Sequence, residues 1–340
     1  MKLFIHIGLP KTGSTAIQTA LRNSTEELAR CEIILFNPDK SSDPTRSLTN
    51  LYKEPNKRIK VKMGGEEKIK KISKKSWEKY YEIINTNNAK KMIYSSEKIP
   101  PLLNNSEFMK KLVPDNINDI KFLAYVREPV DHFFSSLNQR IRSGMELSAL
   151  FNTSFYSHVN HLVKFLKSNS AKLETKEYLS NKFSNFDIVK DFESSINNYF
   201  STDVKLSNSS QENKSISLPA IALLFLYNKF NEEMKLDTNS LEQQRKIIKK
   251  LRKFETTKNN SLQDLISQNR FKKLSWYALK ESHSSVVKLN KLTDIDFTKK
   301  DKSYLNQKFE MDELRDEIID FILYCFTNIK KNDLKRFLIS

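Results

Sequence analysis

Residues 3 to 22 constrain this chain more than any other stretch. Leu3, Phe4, Ile5 and Ile7 are apolar and mostly β-favouring, the pattern of a short strand buried on both faces. Gly8 and Gly13 then bracket a four-residue loop, and Ile17, Ala20 and Leu21 recur at helical spacing between Thr15 and Arg22. A strand, a glycine-bracketed loop and a helix N-terminus aim unpaired backbone N–H groups and the positive end of the helix dipole at one point. Lys11 adds a cation there, and Thr12, Ser14 and Thr15 add hydroxyls. The stretch reads as a site for an anion of the phosphate type.

Its departures from a common pattern narrow the reading. A nucleoside triphosphate loop reads G-x-x-x-x-G-K-[ST], with the lysine on the outer phosphates and the hydroxyl on magnesium. Gly8 and Gly13 keep that spacing, but Ser14 stands where the lysine belongs, and Lys11 lies inside the loop. A degenerate triphosphate loop and a plain β–α turn remain open on these residues alone.

Composition sets outer bounds. A chain of 340 residues, 38% hydrophobic with 22 phenylalanines, can build one large α/β domain or two smaller ones. Cys31 and Cys325 show no pairing pattern, which fits a reducing compartment. The strand follows Met1-Lys2 directly, and the longest apolar run, Leu218 to Tyr227, is about half a membrane span. A cytoplasmic location is therefore expected, with peripheral contact at the inner face of a membrane as a variant of it. The net charge of +17 suits an anionic nucleotide, acidic glycan or anionic lipid, although a lysine-rich composition bias accounts for it equally well. Residues 40–80 hold 13 Lys and Arg against five Asp and Glu and read as a basic surface insertion. Nucleic acid is disfavoured as a partner, because no binding motif is present and aromatic residues are not interleaved with the basic clusters.

Further elements follow in order. Residues 31–38 carry a second strand. A helix is expected from about Glu66 to Asn85, with Ile69, Ile72, Trp77, Tyr80 and Ile84 inward. Lys91 to Ser96 reads as a strand ending at Glu97. At the carboxyl end of a parallel strand, Glu97 is either a general base facing the ligand crevice or a solvated residue in a first helical turn. Phe122 to Val126 reads as a buried strand with Arg127 at its carboxyl end. Pro129 opens a helix with Val130, Phe133, Phe134, Leu137 and Ile141 inward and His132, Ser135, Ser136 and Gln139 on the polar face. Arg127 and Ser135 can converge on one anion. Residues 146–181 look helical, with His158 and His161 on a helix surface, and Phe183 to Val189 reads as a further strand. Residues 211–214 read as a mobile loop, and from about residue 231 the chain is helix-rich. There, Arg245 to Phe254 forms an apolar stripe among cations suited to a membrane surface or acidic glycan, or an ordinary solvated helix face. Phe309 to Ile329 forms a helix with Leu314, Ile318 and Ile319 inward.

The residues Pro10-Lys-Thr-Gly-Ser-Thr15 resemble the 5′-phosphosulfate loop of sulfotransferases that use PAPS (3′-phosphoadenosine 5′-phosphosulfate). Arg127, Pro129 and Ser135 resemble the 3′-phosphate signature of the same family, and the Ser96-Glu97 strand end is similar to its bacterial carbohydrate-type members. Asn213-Lys-Ser215 with the apolar run after it is similar to a late segment of those enzymes. The resemblance implies a P-loop-like three-layer α/β fold with a central parallel sheet. It implies a single domain over 1–340, with the basic insertion at about 40–80 and the helix-rich C-terminal region. It further implies that Lys11 binds the phosphosulfate and stabilises charge on the bridging oxygen, aided by the backbone of Thr12, Gly13 and Ser14 and the hydroxyls of Ser14 and Thr15. Arg127 and Ser135 would hold the 3′-phosphate. Glu97 would deprotonate the acceptor, with His6 as a rival base, and no metal would be needed. PAP would be the product, and the acceptor a glycan, a glycan precursor or a small metabolite. Two other classes stay open: an ATP- and magnesium-dependent phosphotransferase, disfavoured by Ser14 and the missing strand-end aspartate, and a basic nucleic-acid-binding protein.

Overall fold

The computed structural model describes the chain apart from residues 38–45, 53–59, 61–63, 86–89, 116, 118, 143–150, 152–155, 170–171, 180–185, 208–223, 226–270, 299–301 and 328–340. It divides into two units interleaved in sequence: Met1–Arg127 with Ser157–Asn213 and Ser285–Asp296, and Glu128–Tyr156 with Lys214–Ser284 and Phe297–Ser340. The residues 211–215, the basic stripe at Arg245 to Phe254 and nearly all of the Leu218–Tyr227 run lie outside the described residues.

The first unit is built on an all-parallel five-stranded sheet. Its strands are β1 (Lys2–Ile7), β2 (Ile33–Leu35), β3 (Lys91–Ser96), β4 (Asp119–Val126) and β5 (Leu173–Glu177), in the order β2-β3-β1-β4-β5. β1 is central, and Ile7 is in register with Ser96 on one side and Ala124 on the other. The carboxyl ends of β3, β1 and β4 therefore lie side by side, at the point where the strand order reverses across β1. In open parallel sheets, that is where ligands bind. Both faces are covered, which makes three layers. Phe4, Ile93, Leu123 and Tyr125 pack against α1 (Ser14–Asn23), α2 (Thr25–Arg30) and α8 (Ile188–Phe200). On the other face Tyr80 and Trp77 of α4 (Glu66–Asn85) reach Tyr94, Phe36 and Phe108 through edge-on aromatic contacts. Phe165 of α7 (Ser157–Asn169) meets Phe122 in the same way. Such pairs contribute about 0.5–1.5 kcal/mol each beyond area burial. This is the α/β architecture expected from the alternation of buried strands and amphipathic helices.

The helix expected over Glu66 to Asn85 forms with those bounds, burying Ile69, Trp77, Tyr80 and Ile84, with Ile72 half-buried. Lys70, Lys71, Lys74 and Lys75 are exposed on it, and Lys70 pairs with Glu66 at 3.3 Å. Other expectations fail for identifiable reasons. The fifth strand is Leu173–Glu177, and of the stretch Phe183 to Val189 the described residues, 186–189, contain no strand. Its sequence, Leu-Glu-Thr-Lys-Glu, is polar because it lies on the sheet edge, half-buried and held by ladder bonds to β4. Ile188 and Val189 instead open α8, because the Asp187 carboxylate accepts from the N–H groups of Val189 at 2.9 Å and Lys190 at 3.3 Å. A side-chain cap of that kind diverts a β-branched pair into a helix.

In the second unit, α6 (Pro129–Arg142) begins at Pro129 as expected. His132, however, is buried rather than on the polar face, and its ring packs edge-on against Tyr156 at 5.5 Å. Phe133 and Phe151 meet Tyr277 of α9 (Lys272–Asn290). Glu317 of α10 (Met311–Thr327) caps the start of α9, accepting from Leu274 N–H at 2.5 Å and Lys273 N–H at 3.2 Å. Leu314 and Ile318 are buried in α10 as expected, but Ile319 is 47% exposed.

Two histidines of the first unit carry a pH prediction. His6 and His158 are both buried, and burial lowers each pKa to about 3. His158 thus faces the interior instead of the helix surface. In the unfolded chain both titrate near 6.5, so between pH 6.5 and about 3 the unfolded state binds more protons and stability falls as pH falls. The slope is about 1.4 kcal/mol per pH unit per histidine. Moving from pH 7 to pH 5 should therefore cost on the order of 2 kcal/mol for each. Urea midpoints at the two pH values, compared with those of a His6→Gln/His158→Gln double variant, isolate this part. An equal acid loss in the variant would refute it.

Candidate active site

The loop after β1 folds back on itself through its own hydroxyls. Thr12 Oγ1 donates to the Leu9 carbonyl at 2.8 Å and Ser14 Oγ donates to the same oxygen at 3.2 Å. Both side chains are buried, whereas Thr15 is exposed and Lys11 half-buried. The Thr12 and Ser14 hydroxyl protons thus close the loop on its own backbone. Gly13 has φ 76° at the N-cap of α1, where L side chains are disfavoured, and no side chain caps the first turn. Asn105 and Asp187 supply such caps to α5 (Ser106–Leu112) and α8. The first turn of α1 contains no acidic residue either. An anion placed there would fill the role of the missing cap.

Gly8 is required by close approach. A β-carbon on it would lie 2.9 Å from Ser14 Oγ, 3.0 Å from the Ser96 carbonyl and 3.1 Å from Glu97 Cγ. The Glu97 stem thus stands directly beside the loop. Its neighbour Ser96 accepts from the Lys98 N–H at 2.9 Å, which turns the chain away from the sheet after β3. Glu97 itself is exposed.

Arg127, at the end of β4, reaches the same loop. Its Nη1 donates to the Lys11 carbonyl at 2.9 Å, and its guanidinium lies 5.2 Å from the centre of the Tyr178 ring. Lys11 has φ 65°, an uncommon value for a side-chain-bearing residue, and the Arg127 hydrogen bond helps hold it there. Tyr178 and Ile188 also wall the loop from below, within 3.1–3.2 Å of where a Gly13 β-carbon would sit. Sequence reading missed Tyr178, since a lone tyrosine after a polar edge strand carries no motif.

Within the first unit the chain therefore brings together Lys11, Thr12, Gly13, Ser14, Glu97 and Arg127. Ser135 lies half-buried on α6, in the second unit. His6 is fully buried under the sheet's α1/α8 face. Its Nδ1 is paired with Ser95 Oγ at 2.8 Å, and its ring packs edge-on against Phe192 and Tyr125. With its pKa at about 3 it is neutral at ordinary pH and enclosed by core. Among the described residues no group of three or more His, Cys, Asp or Glu side chains has metal-site geometry, and no helix is long and apolar enough to cross a membrane. A concavity of about 400 Å³ opens at the other end of β4, between α5 and α7, with Lys110, Lys164 and Lys172 among its lining residues. It is remote from the loop.

No family model matches the sequence, and no curated protein matches it. Among solved structures, the fold is similar to that of a sulfotransferase from Alicyclobacillus acidocaldarius. The identity is 12%, over 72% of this chain and 99% of that chain, with a TM-score of 0.34. A likeness of that extent carries no functional weight, and the functional reading rests on the loop, Glu97 and Arg127.

Proposed function

We propose that this chain is a PAPS-dependent sulfotransferase that passes a sulfuryl group to a hydroxyl or amine of a glycan or glycan precursor. The observation that carries this reading is the uncapped first turn of α1 behind the αL Gly13, in a loop flanked by the Glu97 stem and held by Arg127. The fit to the cofactor rests on two features of the chain. Gly8 and Gly13 leave space that any β-carbon would take, and the α1 N-terminus offers N–H donors with no internal cap.

PAPS supplies an activated sulfuryl group on a good leaving phosphate. In the proposed roles, the N–H groups around Gly13 and Ser14 would orient its 5′ end, and Lys11 would supply the positive charge beside it. Thr15, exposed at the helix start, offers a hydroxyl to the same end. Arg127 would hold the 3′-phosphate. Glu97 would take the proton from the acceptor hydroxyl, beside the loop that would hold the sulfuryl donor. Most of the rate enhancement then comes from positioning and preorganised charge. Glu97 is preferred to His6 because it is exposed beside the loop, whereas His6 is sealed in the core. The exposed lysines of α4 offer a positive face to an anionic acceptor or membrane surface.

The test is ligand discrimination by melting temperature. PAP should stabilise the protein without divalent metal, by about 2.7 kcal/mol when present at 100 times its dissociation constant. AMP, and ATP with magnesium, should give far smaller shifts at the same concentration. Equal shifts from ATP and PAP, or a strict magnesium requirement, would favour a phosphotransferase instead.

A further inference from the structure

Tyr178 touches both halves of the candidate cofactor site and belongs to neither recognised motif. Its backbone N–H bonds the Val126 carbonyl at 2.8 Å, which fixes it beside Arg127 at the end of β4. Its ring supports the Arg127 guanidinium, centroid to Cζ 5.2 Å, and its Cε2 lies 3.2 Å from a β-carbon built on Gly13. Arg127 in turn holds the carbonyl of Lys11, the loop residue at φ 65°. One ring thus backs the glycine hinge of the loop and the cation that anchors it.

We infer that Tyr178 is a positioning residue that fixes the plane of the Arg127 guanidinium and thereby sets the preference for a 3′-phosphate. A guanidinium is a flat fork of five donors, so its selectivity for a phosphate depends on the orientation of its plane. Rotation about its long stem would leave the charge in place but misalign the donors. With Nη1 tethered to the loop and Cζ lying 5.2 Å from the centre of an aromatic ring, that rotation is restricted before any ligand arrives. Preorganisation of this kind reduces the ordering cost of binding. The inference rests on the proposed function, because it assigns the 3′-phosphate to Arg127.

Binding of PAP and of AMP, which differ by the 3′-phosphate, separates this role from a merely structural one. The ratio of the two dissociation constants should fall about fivefold in Tyr178→Leu, the scale of a lost cation–π contact. Tyr178→Phe, which keeps the ring, should stay within about twofold of the native ratio by the same argument. Should Tyr178→Leu fail to fold, Tyr178→Met keeps bulk against Gly13 and Ile188 and reports the same ratio. An unchanged ratio in the folded ring-less variant overturns the inference while leaving the functional reading standing. A native protein that does not distinguish PAP from AMP overturns both.

Discussion

Turnover in Glu97→Gln is expected to fall by about two orders of magnitude or more, the usual contribution of a general base. The melting temperature and PAP affinity should stay near native. Glutamine keeps the shape of the side chain whose Cγ stands 3.1 Å from the Gly8 β-carbon position, so the loop keeps its packing while the basic oxygen is lost. A solvated first-turn glutamate would contribute almost nothing to rate, so the two readings of Glu97 differ by a large factor. The measurement is PAP release from PAPS with a panel of hydroxyl and amine acceptors, beside a PAP binding isotherm. A drop in the rate constant at saturating acceptor with unchanged PAP binding marks a group that acts in the transition state. Native turnover in Glu97→Gln would rule out Glu97 as the base. His6 is not expected to replace it, since its Nδ1 is engaged by Ser95 and its ring is enclosed by Phe192 and Tyr125.

Arg127→Ala is expected to weaken PAP by about 1.5–3 kcal/mol, roughly 10- to 150-fold, as for a charge-assisted contact. AMP should weaken as well, though less. Arg127 holds the Lys11 carbonyl, so its loss also relaxes the loop that would take the 5′ end. The smaller loss should be on the order of 0.5–1.5 kcal/mol, the net worth of one ordinary hydrogen bond. Arg127→Lys keeps a charge but not the planar fork, and should recover little of the PAP loss. Calorimetric titration of both ligands into the three proteins tests this. Equal losses for PAP and AMP in Arg127→Ala would make Arg127 a loop anchor only and remove the 3′-phosphate assignment.

Both predictions start from groups that sequence brought forward and structure placed. Periodicity and punctuation located β1, α1, α4, β3, β4 and the start of α6, because each has a buried face whose spacing is dictated by its own geometry. Where local and long-range forces compete, the sequence misled. The polar run Leu173–Glu177 is a strand only because β4 offers it a ladder, and Ile188-Val189 is helical because Asp187 captures the N–H groups of Val189 and Lys190. His132, His158 and Ile319 likewise sit on faces that helical spacing alone did not assign, since neighbouring elements decide which side of a helix is covered.

The sequence by itself determined the strand–loop–helix turn from Gly8 to Ser14. Two glycines five residues apart, between an apolar strand and a helical run, give the backbone the close approach and the positive φ that the loop needs, and the residues within that span are local to one another. Only the tertiary structure decided how distant groups meet it. Parallel register sets Ser96 beside Ile7 and so delivers Glu97 to Gly8, and the end of β4 delivers Arg127 to the Lys11 carbonyl. It also turned the hydroxyls of Thr12 and Ser14 inward onto Leu9, and it set Tyr178 under the guanidinium. The Glu97 and Arg127 contacts join residues 89 and 116 positions apart, and their geometry is fixed by strand pairing and layer packing, which no local pattern encodes.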